Sequence, residues 1–157
     1  MAWRKTDDGP EVLLVHPGGP FWKNKDHGSW SIPKGEIGGQ EDALQAAKRE
    51  FQEETGIAVS GDFVALLPVK LKSGKVVHGF AVKFDADLSR FRSNEFTMEW
   101  PPRSGKMAPF PEVDRAEYFT ISMALIKINT GQAALLDQLQ DLLDREAPIG
   151  TQNPPGK

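Results

Sequence analysis

Apolar and polar positions along the chain divide it into short extended runs and two helical stretches. Glu11–Val15 is a continuous apolar run behind the turn cluster Asp7–Pro10, and it predicts a strand buried on both faces, entered from a hairpin turn. Pro17–Gly39 is rich in Gly and Pro and predicts loop, yet it carries Phe21, Trp22 and Trp30. Aromatics in a loop of this length suggest a ligand wall or the cover of a satellite core. From Glu41 to Thr55 the residues become helix formers, with Leu44, Ala47 and Phe51 as an apolar stripe and Gly56 placed to end the helix in a left-handed conformation.

Phe63–Lys72 and Lys75–Phe84 predict two antiparallel strands around a turn at Ser73 and Gly74, with Val69 and Leu71 alternating against Lys70 and Lys72. Ser93–Asp114 contains Pro101, Pro102, Pro109 and Pro111 and predicts a long irregular loop. Ala116–Thr120 reads as a strand, and Met123–Ile128 as a helical turn capped by Ser122. Leu135, Leu136, Leu139, Leu142 and Leu143 mark a last amphipathic helix, with Asp137, Gln138, Asp141 and Asp144 toward water. Residues 147–157 are dominated by Pro, Gly and polar side chains and predict a disordered tail. The expectation is one mixed α/β domain over residues 1–146.

Composition narrows the chemistry. The 157 residues hold 19 Lys and Arg against 22 Asp and Glu, no Cys and three His. Disulfides, thiol catalysis and Cys-ligated metals are excluded, and a His-rich metal site is not expected. A net charge of −3 gives no whole-surface attraction to nucleic acid or anionic lipid. No secretory leader and no membrane-length apolar stretch is visible, so the expected location is cytoplasmic. A metal, if one is used, must rest on carboxylates.

Glu50, Glu53 and Glu54 stand at i, i+3 and i+4, on one face of the predicted helix and in its last turns. Like charges so placed repel, and the helix dipole disfavours negative charge at that end. A solvated acidic face is the ordinary explanation of such a triplet taken alone. Two features favour a site instead: Gly38 and Gly39 permit a tight loop before the helix, and Arg49 adjoins the acids. Converging carboxylates without sulfur suit a hard cation, Mg²⁺ first and Mn²⁺ second, and so point to attack at a phosphorus centre.

The stretch Gly35–Ile57 places Gly35, Glu41, Arg49, Glu50, Glu53, Glu54 and Gly56 at the spacing of the Nudix box, with hydrophobic Phe51 and Ile57 at their positions. The chain therefore resembles the Nudix hydrolases. That resemblance implies an α/β/α sandwich with a mixed sheet, and hydrolysis of a nucleoside diphosphate linked to another moiety. It makes Glu53 and Glu54 the principal metal ligands, Glu50 a further ligand or the base, and the Gly35 carbonyl part of the metal shell. Arg49 would orient carboxylates and Glu41 would be structural. A further carboxylate is expected from a loop before the last strand: Glu112 is the candidate, with Glu95 and Glu99 as rivals. In such proteins a full strand usually precedes the Glu11–Val15 strand, but only Met1–Thr6 is available here, as after a late start or with a shortened sheet edge.

The pre-box residues His27–Glu36 are similar to those of Nudix members acting on dinucleoside polyphosphates and diphosphoinositol phosphates. Lys34 would meet a phosphate, and Trp30 would stack on a base or pack in the core. Trp100, Arg103 and Lys106 have the composition of a lid that grips phosphates and offers an aromatic face. Two substrate markers of relatives are absent. Ser73 and Gly74 stand where tetraphosphate-cleaving members carry a tyrosine, and Lys72 where ADP-ribose hydrolases carry a proline.

The expected activity is hydrolysis of a dinucleoside polyphosphate. A nucleoside triphosphate pyrophosphohydrolase is the alternative, and a nucleotide-sensing module without turnover the second. The partner is a small nucleotide rather than nucleic acid or membrane, and the oligomeric state is open between monomer and homodimer.

Overall fold

A computed structural model describes residues 1–34 and 41–146. Its centre is a five-stranded mixed sheet whose order across the sheet is Val64–Ala65 (β3), Phe80–Lys83 (β6), Ala2–Thr6 (β1), Gly9–Pro17 (β2) and Val113–Thr120 (β9). Strand β1 (Ala2–Thr6) turns through Asp7 and Asp8 into β2 (Gly9–Pro17), and β9 (Val113–Thr120) flanks β2 on its other side. Both pairings are antiparallel, whereas β1 runs parallel to β6 (Phe80–Lys83). The start of the chain is therefore a central strand with Ala2 fully buried, and the expected shortened edge is not what Met1–Thr6 forms.

The period-two rule explains the layers. Along β2, Leu13 faces the box helix α1 (Ala43–Thr55) and packs with Phe51, Val82 and Ala86. Val12 and Leu14 face the opposite way, into a larger cluster with Trp30, Ile32, Leu135, Leu136 and Leu139. That second layer is built by α2 (Ile121–Lys127) and α3 (Ala133–Glu146). Helices on both sides of a mixed sheet are the expected α/β/α arrangement. No helix of the described residues is long and apolar enough to cross a membrane.

Helix α1 starts two residues later than its composition suggests, because Asp42 caps it: its side chain accepts from the Gln45 N–H, and the Gln45 side chain returns the bond. The stripe also shifts, to Ala46, Phe51 and Thr55. The predicted pair of long strands after the box is broken into β3 (Val64–Ala65), β4 (Val69–Lys70), β5 (Val76–Val77) and β6, although the turn at Ser73 and Gly74 is kept. The cap of α2 is Thr120, whose hydroxyl accepts from the Met123 N–H, not Ser122.

Ser93–Asp114 departs most from expectation. It forms a hairpin of β7 (Glu95–Glu99) and β8 (Met107–Pro111) in place of an irregular loop. The prolines were misleading because Pro109 and Pro111 lie exposed on a two-stranded ribbon with no third strand, where an absent N–H is tolerated.

Gly56 closes α1 at φ +75°, its N–H bonded to the Gln52 carbonyl at 2.7 Å. A Cβ there would stand 2.6 Å from the Arg92 carbonyl oxygen. Gly56→Ala is therefore expected to cost about 2 kcal/mol or more, from the left-handed backbone plus the clash. Urea unfolding checks this, and an unshifted midpoint rules out the close Arg92 contact.

Candidate active site

The site is assembled by main-chain bonds at the C-terminal end of α1. The Arg92 N–H donates to the Thr55 carbonyl at 2.8 Å and the Asn94 N–H to the Glu53 carbonyl at 2.9 Å, satisfying carbonyls that a helix end leaves open. The Glu112 N–H then donates to the Asn94 carbonyl, and the Gly18 N–H to the Glu112 carbonyl. This relay brings the base of the β7–β8 hairpin, and with it Glu112, against the carboxylates of α1.

Arg49 is the hub of the acids. It holds Glu41 through Nε at 2.7 Å and Nη2 at 3.0 Å, and its Nη1 reaches Glu50 at 2.7 Å and Glu53 at 3.0 Å. These bonds raise its already high pKa further, the Glu41 bond most. Arg49 thus offsets the repulsion that the sequence displays and fixes the rotamers of Glu50 and Glu53.

Glu54 points inward. Its pKa is pushed up to about 8, by burial first and then by the charge of Glu50, against the opposing pull of the Lys34 N–H and the Lys34 charge. The Lys34 amide donates to Glu54 Oε2 at 3.2 Å. Glu112 is also raised, by loss of hydration and then by the charges of Glu50 and Glu53. Two acids held above their ordinary values, by burial first and by neighbouring acids second, mark a partly dehydrated place short of positive charge.

Among the described residues, no group of three such side chains is drawn into a ready-made coordination shell; Arg49 ties Glu50 and Glu53 instead. The donor chemistry nevertheless fits a hard divalent ion: all-oxygen, acidic, partly buried and short of positive charge. Gly35, expected to offer a carbonyl, lies outside the described residues, as do Gly38 and Gly39.

The NUDIX domain family matches the chain over residues 2–139. The chain belongs to the Nudix family. No curated protein matches it by sequence. Among solved structures, it is similar to the Caenorhabditis elegans Ap4A hydrolase in a binary complex, at 23% identity and TM-score 0.58, covering 92% of this chain and 93% of that one. A MutT protein from Methanosarcina mazei Go1 matches at 18% identity and TM-score 0.55, covering 94% and 92%. The Nudix domain of Shewanella oneidensis NrtR, complexed with ADP ribose, matches at 16% identity and TM-score 0.59, covering 90% and 83%.

Within this Nudix pyrophosphohydrolase the box residues Arg49, Glu50, Glu53 and Glu54 are brought together, and Glu112 joins them. Lys34 stands beside Glu54, at the edge of a cleft of about 420 Å³ that also takes in Ala46, Lys75 and His78. Trp100, Arg103 and Lys106 sit instead at the far end of the β7–β8 hairpin.

Of the two places expected for Trp30, it takes the core. It is 1% exposed, inside the larger core cluster, and its indole N–H is used by Asp26 at 2.8 Å, so no ring face is open to a base. Two residues near the acids were missed, Arg92 and Asn94, which line a cleft of about 410 Å³ with Glu53. Their distance in sequence from the box left no signal.

Proposed function

We propose that this Nudix protein is a Mg²⁺-dependent hydrolase of a phosphoanhydride bond in a dinucleoside polyphosphate. The observation that supports it is the convergence of Glu112 on Glu50, Glu53 and Glu54, four acids from two separate parts of the chain. Glu53, Glu54 and Glu112, with the Gly35 carbonyl, are the groups suited to hold the metal, and Mn²⁺ suits the same donors. A divalent ion held by them would supply positive charge against the phosphate oxygens. Glu50, held by Arg49, would take a proton from the attacking water as the oxygen bonds to phosphorus and the bridging P–O bond breaks. Arg49 keeps Glu50 and Glu53 aimed and is too fully engaged with acids to grip phosphate itself.

Lys34, beside the metal carboxylates, and Arg103 and Lys106, on the hairpin, are the cations proposed for the polyphosphate, with Trp100 as an aromatic contact. The likeness to the Ap4A hydrolase agrees with this substrate class, and the likeness to a MutT protein keeps nucleoside triphosphates as the second reading.

Turnover of diadenosine tetraphosphate, nucleoside triphosphates and ADP-ribose with Mg²⁺, with products separated by chromatography, tests the assignment. Two nucleotides from diadenosine tetraphosphate are expected. A preference for triphosphates, with monophosphate and pyrophosphate as products, supports the second reading. Turnover of none of them removes both and leaves a nucleotide-sensing role.

A further inference from the structure

Helix α3 carries one apolar stripe, but the sheet covers only part of it. Leu135, Leu136 and Leu139 are fully buried, whereas Leu142 and Leu143, one turn on, are only half-buried. With Trp3 and Val64 they line a cleft of about 570 Å³ between α3 and the strands β1, β3 and β6. The charges around this cleft are unmatched. Lys5 and Lys83 stand on β1 and β6, Asp62 just before β3, and Asp144 and Glu146 on α3. Among the described residues none of the five is in an ion pair. Lys83 lies over the Trp3 ring at 5.6 Å, and Asp144 accepts from Gln140 at 2.8 Å. Cations on the sheet wall thus face acids on the helix wall across a gap too wide for pairing.

Beside the cleft stands a fixed apolar knob. Leu67 is 75% exposed, more than any other large apolar side chain among the described residues. A lone exposed leucine is ordinary; one whose backbone is clamped beside an apolar cleft is not. The Leu67 N–H donates to Gln138 Oε1 at 2.6 Å, and Gln138 Nε2 donates to the Leu67 carbonyl at 3.0 Å. Pro68 narrows the backbone of Leu67 further. Gln138 precedes Leu142 by four residues on α3, about 6 Å along the helix axis. Knob and cleft therefore lie about one helical turn apart on the same edge of the molecule.

We infer that this edge is a homodimer interface, with Leu67 of each copy seated among Trp3, Val64, Leu142 and Leu143 of the other. A two-fold axis between knob and cleft seats both knobs at once, which is the isologous contact of a symmetric dimer. The arriving surface also carries both signs of charge, as the two unmatched walls require. A purely basic or purely acidic partner would leave one wall unmatched. The box helix α1 and its carboxylates lie on the other side of the sheet from α3, so the dimer leaves both active sites open. The inference is therefore independent of which nucleotide is hydrolysed.

Sedimentation equilibrium of the full chain over a range of concentrations gives the dimer Kd. Wild type is expected to dimerise, and Leu67→Asp to raise Kd about thirtyfold or more, the scale of losing an interface anchor. Leu67→Met keeps an apolar side chain of similar size and is expected to keep the dimer. Leu67 is exposed and held by its main chain, so circular dichroism should match wild type in both variants. A wild type that is monomeric at every concentration overturns the inference, and so does a dimer that Leu67→Asp leaves intact. Residues 147–157 follow Glu146 at the rim of the cleft and are the other candidate occupant. A monomer that dimerises only when they are removed gives them the cleft and overturns the inference. Amide exchange of wild type needs no substitution: it should slow at Val64–Leu67 as concentration rises, and slowing confined to another face overturns the assignment.

Discussion

Glu53→Gln and Glu54→Gln each lower kcat about a hundredfold or more, the scale of losing a group that acts directly on transition-state charge. The fold should survive both changes. A glutamine at position 53 still offers an oxygen to Arg49 Nη1, now 3.0 Å from Glu53, and one at position 54 still accepts from the Lys34 N–H. The metal, by contrast, loses an anionic ligand that a neutral amide cannot replace.

Glu54 permits a second readout independent of turnover. In metal-free protein its folded pKa of about 8 lies above the ordinary carboxylate range. The unfolded chain releases this proton first, so stability is greatest below the unfolded pKa and declines as pH rises toward 8. Glu54→Gln removes that decline. With chelator present it is expected to be more stable than wild type by on the order of 1–3 kcal/mol at pH 7, with the gain shrinking toward pH 5. Saturating Mg²⁺ should reverse the order. Full activity in either variant sinks the metal assignment, and a pH-independent stability difference sinks the account of Glu54.

What was legible depended on whether the signal was local. Glu50, Glu53 and Glu54 are neighbours on one helical face by spacing alone, and Gly56 ends that helix as its type and position indicate. Leu13 and Val12 pack on opposite sides of the sheet because a continuous apolar run tells of two buried faces. Glu112 could be placed only as an acid before the last strand. Its approach to α1 depends on bonds through Asn94 and Gly18, separated from it by 18 and 94 residues in sequence. The β7–β8 hairpin was hidden by its prolines, although Glu95–Glu99 alternates exposed and half-buried residues with the period of a strand. Arg92 and Asn94 were invisible for the same reason as the Glu112 contact: main-chain bonds to a helix end leave no mark on residue type.

Trp30→Ala is expected to cost about 3–5 kcal/mol, the largest stability loss of any change considered, because it empties a filled position in the larger core cluster. The indole stands edge to face with His16 at 5.1 Å and with Phe119 at 5.0 Å. Its N–H ties Asp26, which pairs with Lys127 at 2.6 Å, and its main chain bonds Lys127 and Asn129. Removing the ring therefore loosens the loop after β2 from the end of α2, as well as opening a cavity beside Val12 and Leu14. His16 is fully buried next to it, with Nδ1 2.7 Å from Asp114 and Nε2 2.6 Å from the Lys25 carbonyl, so polar groups in that cavity would lose their shield from water. Trp30→Phe separates packing from recognition: it keeps most of the ring and leaves Asp26 paired with Lys127, so a smaller loss of stability is expected, with KM within about twofold of wild type. Urea midpoints and KM measured on the same preparations decide the matter. A Trp30→Phe protein as stable as wild type but with KM raised tenfold would return Trp30 to the substrate and refute its place in the core.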